Sequence, residues 1–357
     1  MTQPVLPSAE TFLAALYNLA LLRRLSGDIA EISQTDRPQS NAVTAPAGRL
    51  RTGALLLLPG AFNPPTSAHL ELAQESLRAV PGAQLYFTLG TTTINKEQTE
   101  RATLLDRLLL LDQMVRRFGN LGVLLTSRGL YVEQANAARA AFPQATHLYF
   151  VVGYDKIEQI FDARYYHDRD AALNELFALA KLLVAPRASH EAADLDGLLN
   201  QPENHQFQSA IQLIPFPADY RGIASSQVRA SFQASADVLS ISQLVELLPP
   251  ESLAFARETG CYSPPASLSS GESLDRYALR VSLLNRILAL PTSDQASIDF
   301  RALFVLAVST SERGRVLRRW LTGPATIPPP FDLHAGQHPL PQNPAQTPKA
   351  QRFPNSK

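Results

Sequence analysis

Two stretches of this chain, far apart in sequence, carry side chains suited to holding phosphate. In the first, GAFNPPTSAH, Thr66 and His69 stand three residues apart behind the apolar run Leu55–Leu58. That run reads as a buried parallel strand, Gly60 and Ala61 permit a tight turn at its end, and His69 falls in the first turn of the following helix. A strand, a tight turn and a helix N-terminus leave free N–H groups and the positive helix end beside any anion. An imidazole there adds a donor for a phosphate oxygen. In the second stretch, Ile223-Ala224-Ser225-Ser226-Gln227-Val228-Arg229, two hydroxyls and a guanidinium open another helix, with Arg229 one turn on. Read alone, Ser-Ser-x-x-Arg is weak, because serine is a common N-cap.

Taken together, GAFNPPTSAH and IASSQVR resemble the GxFxPx(T/H)xxH and ISSTxxR motifs of the nucleotidyltransferase superfamily. Within it the chain looks like the nicotinamide/nicotinic acid mononucleotide adenylyltransferases, and the FNPPT and AHL variants look like their divergent fungal members. The resemblance spans about Ala54 to Gly260. It implies an enzyme that transfers AMP from ATP to nicotinamide mononucleotide, or to the nicotinic acid form, giving NAD and pyrophosphate. Such a transfer needs positioning and electrostatic stabilisation of phosphoryl oxygens, with no covalent intermediate.

The resemblance assigns His69 to the ATP phosphates and to the α-phosphoryl in flight, and pairs it with Arg229 as the catalytic groups. Gly60, Ala61, Phe62, Asn63, Thr66, Ile223, Ser225 and Ser226 join them around ATP, with Phe62 packing beneath the nucleotide. Thr66 either bonds a phosphate oxygen or simply caps the helix, and Asn63 either touches substrate or orients the turn. Gly153 and Asp155, at the end of another expected strand, and Arg187 and Lys96 are expected at the mononucleotide; the resemblance also lets Asp155 reach the adenosine ribose, the plainer alternative being a cap on the next helix. Arg101 and Arg107 rank below Lys96. Relatives stack the pyridine ring on tryptophan, but the single tryptophan, Trp320, lies outside the core; Phe161, Tyr165 and Tyr166 are the substitutes in range. No cluster of His, Asp and Glu resembles a metal cage, so magnesium would travel on the ATP phosphates and water.

The pattern around these motifs alternates strand and helix. Strands are expected at Ala54–Pro59, Gln84–Leu89, Leu121–Thr126, His147–Val152, Lys181–Ala185 and Gln212–Ile214. Helices are expected at Ala68–Ala79, Ala102–Phe118, Val132–Ala141, Arg169–Ala180 and His190–Leu199, then at Ser226–Ala234, Ile241–Leu248 and Pro250–Thr259. Such alternation implies an α/β parallel sheet with helices on both faces, and the resemblance implies that it is a Rossmann-like sheet of the nucleotidyltransferase type. Flanking it, residues 1–48 read as an N-terminal helix (Ser8–Ile32, with Ser8 as cap) and a linker from Gln34 to Gly48. The transferase domain occupies 49–262. Helices at Ser273–Leu290 and Phe300–Leu321 form an extension over 263–322, fit to pack on the core or to contact another copy or a protein partner. A proline-rich tail, 323–357, is expected to be disordered.

Composition narrows the alternatives. In 357 residues, 32 basic and 32 acidic side chains balance, so no global field draws nucleic acid or anionic membrane. The basic run Arg313–Arg319 reads as a solvated helix face. The single cysteine, Cys261, excludes an intramolecular disulfide and reads as a small buried group. Neither a membrane span nor a presequence is evident, which points to the cytoplasm, with the nucleus as a second location. Two other readings keep the same residues: a nucleotidyltransferase with another phosphate acceptor, and an ATP-binding or ATP-hydrolysing regulatory protein with an interaction module. Class I aminoacyl-tRNA synthetases share the fold, but a KMSKS-like lysine motif is missing.

Overall fold

A computed structural model describes residues 9–47, 53–92, 101–187, 192–233, 241–268, 271–324, 328–330 and 333. Ser8, Lys96, His190 and most of the expected tail lie outside the described residues. By internal contacts the chain divides into two units, Met1–Ala266 with Asp275–Tyr277, and Ser267–Leu274 with Ala278–Lys357.

The first unit is built on a seven-stranded sheet. Its strands are β1 (Ser40–Thr44), β2 (Ala54–Pro59), β3 (Gln84–Gly90), β4 (Leu121–Thr126), β5 (His147–Gly153), β6 (Lys181–Ala185) and β7 (Ile211–Leu213), in the order β1-β4-β3-β2-β5-β6-β7. All neighbouring pairs are parallel except β1–β4. Leu55, Leu56, Leu57 and Leu58 are at most 3% exposed, as expected for a central strand covered on both faces. From β2 the chain first adds β3 and β4 on one side, then β5, β6 and β7 on the other. The crossovers therefore diverge at β2 and β5, where a crevice opens beyond the carboxyl ends of the strands. Both phosphate-type motifs belong to that edge.

Several expectations change. The N-terminal helix is two, Ala9–Leu16 and Leu19–Ser33, because Asn18 adopts an extended backbone and its side chain accepts the Leu21 N–H at 3.0 Å. The stretch read as a linker contains β1, whose sequence SNAVT lacks an apolar alternation yet pairs antiparallel with β4. There Gly122 is required by a close approach: a Cβ would meet the Thr44 carbonyl at 2.6 Å and the Tyr86 ring at 2.7 Å. The helix placed at Ala102–Phe118 is Leu104–Val115, started by Thr103, whose side chain accepts the Asp106 N–H. An unanticipated helix, Tyr154–Phe161, directly follows β5.

In the second unit, Ser273–Leu274 is extended and the helix placed there begins at Arg276; its residues from Ala278 to Leu288 belong to this unit. The helix placed at Phe300–Leu321 is two, Phe300–Ala307 and Glu312–Thr322, the second capped by Ser311. Arg318 on the latter is not solvated. It is 5% exposed and donates to both oxygens of Glu272 and to the Ala307 and Ser309 carbonyls.

Candidate active site

The turn after β2 is where the two motifs meet. Gly60 donates to the Thr88 carbonyl at the end of β3, and the Phe62 ring folds back over it. A Cβ on Gly60 would stand 2.8 Å from that ring, so glycine is needed here to admit phenylalanine as well as to let the turn form. Phe62 pays for this with a positive φ of 47° and is 1% exposed, packed edge-on to Phe87 and His69. Its ring is thus part of the floor under His69, with no face open for a nucleotide to lie on.

From Ala61 to Pro65 the turn is held by donors from elsewhere in the first unit. Arg107 Nη1 donates to the Ala61 carbonyl at 2.7 Å and Arg229 Nη1 to the Asn63 carbonyl at 2.8 Å. Ser225 Oγ donates to the Pro64 carbonyl at 2.8 Å, and Ser252 Oγ to the Pro65 carbonyl at 2.9 Å. Tyr262 Oη donates to Asn63 Oδ1 at 2.9 Å, in a place buried enough to push its phenol well above the usual range. Each bond closes a loop of 46 to 199 residues in sequence. Arg229 keeps its Nε buried without a partner, which leaves part of the guanidinium uncommitted.

His69 sits on the first turn of the helix Ser67–Ala79. The Thr66 N–H donates to His69 Nδ1 at 3.0 Å, with Thr66 Oγ1 2.7 Å from the same nitrogen. Nδ1 therefore accepts, the proton resides on Nε2, and Nε2–H is directed away from the helix cap. Burial, and secondarily the nearby Arg187 charge, lower the imidazole to about 4, so it is a neutral donor at pH 7. Thr66, fully buried, holds the imidazole at the helix cap.

A cleft of about 200 Å³ lies beside this turn. Its walls include Gly60 and Ala61, Thr88 and Gly90 of β3, Arg107, the segment Gly129–Tyr131 after β4, and Tyr165 and Tyr166. Of the three aromatic residues expected to replace tryptophan, both tyrosines line this cleft. Phe161 does not; it is 6% exposed and packs on Phe177 and Phe207 in the core. Gly153, Asp155 and Arg187 also lie off the cleft wall. Arg187 Nε meets Asp155 Oδ2 at 3.1 Å over Gly153, at the ends of β5 and β6, on the His69 side. His69, Ile223, Ser225, Ser226 and Arg229 are not among the cleft's lining residues either. Ser226 is exposed at the start of the helix Ser225–Gln233, and Ile223 is partly buried just before it.

Arg107, ranked below Lys96 from the sequence, and Gln134, Tyr262 and Ser252, which no motif singled out, lie at this turn or its cleft. Arg107 is 6% exposed, lines the cleft, and has Nε without a partner. No local signal identifies Tyr262, which acts on a residue 199 positions away. Cys261 takes part in no disulfide and is fully buried, as expected. Among the described residues, no group of three or more His, Cys, Asp or Glu gathers to hold a metal, and no helix is long and apolar enough to cross a membrane.

The family described as Cytidylyltransferase-like matches residues 57–231. A curated relative from Dehalococcoides mccartyi, named a probable nicotinate-nucleotide adenylyltransferase, is 26% identical over 219 residues, 60% of this chain and 97% of the relative. Two solved structures of Plasmodium falciparum nicotinic acid mononucleotide adenylyltransferase, complexed with APC and with NaAD, are each 14% identical. Their TM-scores are 0.41 and 0.43; each match covers 58% of this chain, and 96% and 97% of the solved chains respectively.

Proposed function

We propose that this chain, whose residues 57–231 match the cytidylyltransferase-like family, transfers AMP from ATP to the phosphate of a pyridine mononucleotide, nicotinamide or nicotinate, releasing pyrophosphate. The observation that carries this reading is the convergence of two distant segments on one turn: Ser225 and Arg229 are bonded to the backbone of Asn63-Pro64, six and five residues before His69. ATP would lie over that junction, with the acceptor in the adjoining cleft.

In the reaction an acceptor phosphate oxygen attacks the α-phosphorus of ATP, and the bond from that phosphorus to the β-bridging oxygen breaks. No proton transfer is required between the two phosphates. What the protein must supply is alignment, and donors aimed at oxygens whose charge grows. His69 Nε2–H would donate to a nonbridging α-oxygen, helped by the N–H groups opening the helix Ser67–Ala79. Arg229 and the start of the helix Ser225–Gln233, with Ser226, would receive the leaving phosphates. Arg107, fixed at one nitrogen by Ala61, would meet the acceptor phosphate. Asp155 and Arg187, paired near His69, fit better beside ATP than at the pyridine. A magnesium ion arriving on ATP would keep phosphate and water oxygens as ligands, since the described residues form no cage for it.

The test is an acceptor panel with the purified protein. Pyrophosphate should appear only with a pyridine mononucleotide, and not with phosphopantetheine or glycerol phosphate. His69→Ala should lower kcat by roughly 10²–10³ while the protein stays folded. Release with another acceptor, or a loss of only twofold in His69→Ala, would refute the assignment.

A further inference from the structure

Gln134 is 5% exposed, stands on the first turn of the helix Tyr131–Ala141, and lines the acceptor cleft. Its Nε2 donates to the Gly129 carbonyl at 2.9 Å. That bond fixes which end of the amide is which, and leaves Oε1 as a buried acceptor without a hydrogen-bond partner. A buried acceptor left unmatched carries a desolvation cost that a ligand donor can relieve. No anion can do so.

The cleft also has a direction. Arg107 is tied to Ala61, just past β2, whereas Gln134 is tied to Gly129, just past β4. β3 lies between these strands, so the two anchors are separated by about 9–10 Å across the sheet. A mononucleotide with its phosphate toward Arg107 and the ATP turn would extend its ring toward the β4 end, between Gln134 and the tyrosines 165 and 166. The other cation on the cleft wall, Lys156, donates its ammonium to Gln159 Oε1 at 2.9 Å. That bond to a neutral amide leaves the ammonium charged but at the exposed side of the cleft; the buried group at the ring end is the neutral acceptor Gln134 Oε1.

Resting on the proposed function, we infer that Gln134 is a specificity-determining residue: its Oε1 accepts an N–H from a ring carboxamide, so the enzyme prefers nicotinamide mononucleotide to the nicotinate form. A ring carboxylate would set a negative charge against the same oxygen. The consequence runs opposite to the substrate in the curated relative's name.

Kinetics of wild type, Gln134→Met and Gln134→Glu with both mononucleotides test this. Wild type should favour the amide in kcat/KM by roughly 10–100-fold. Gln134→Met, lacking the acceptor, should bring the ratio to within about threefold of unity, mainly by losing activity on the amide. Gln134→Glu keeps an acceptor but loses the bond to the Gly129 carbonyl and adds negative charge, so turnover should fall with both mononucleotides and further with the acid. Equal losses on both acceptors in Gln134→Met, as a ribose hydroxyl partner would give, would overturn the inference, as would a wild-type preference for the acid. Failure of wild type on both mononucleotides would instead refute the underlying function, and the inference with it.

Discussion

His69 shows how one position carries both a chemical and a thermodynamic signature. Its Nδ1 is occupied by the Thr66 N–H, and burial holds the ring near a pKa of about 4 against an ordinary 6.5. The native imidazole is neutral, while the unfolded chain takes up a proton first as pH falls. The stabilisation is therefore fully present above about pH 6.5 and is lost progressively down to about pH 4. Urea unfolding of wild type and His69→Gln should register this. The stability difference in favour of wild type should shrink by up to about 3 kcal/mol between pH 7 and pH 4. A difference independent of pH would mean that the imidazole is not held neutral by its surroundings.

At the level of elements, the sequence revealed what is periodic and hid what depends on a distant partner. β2, β4 and β6 fall where their apolar runs end, because central parallel strands announce themselves by continuous Leu and Val. β1 was invisible because its five residues are polar or small; it exists by pairing with β4 and by the room that Gly122 leaves for Thr44. The break at Asn18 likewise rests on one capping bond inside an otherwise continuous helical pattern. If Gly122 is what admits β1, Gly122→Val should destabilise the first unit by about 1–3 kcal/mol, seen as a lower urea midpoint, and should raise amide exchange from Ser40 to Thr44. Unchanged protection of those amides would show that β1 docks without it.

Over the molecule as a whole, the motif residues were legible and the donors that lock them were not. The two phosphate-type motifs could be paired by order and chemistry, and the turn from Ala61 to Pro65 joins them as that pairing requires. Tyr262, Ser252 and Arg107 finish the arrangement through bonds that span 46 to 199 residues and leave no local pattern. With 32 charged residues of each sign in balance, the proposed function would rely on local geometry rather than a long-range field to draw in ATP. The account stands or falls on where the α-phosphorus of ATP goes. With ATP labelled at that position and a pyridine mononucleotide present, the label should pass into the dinucleotide, one pyrophosphate appearing per dinucleotide formed. Label found only in free AMP, or retained in ADP, at a rate indifferent to the mononucleotide, would contradict it.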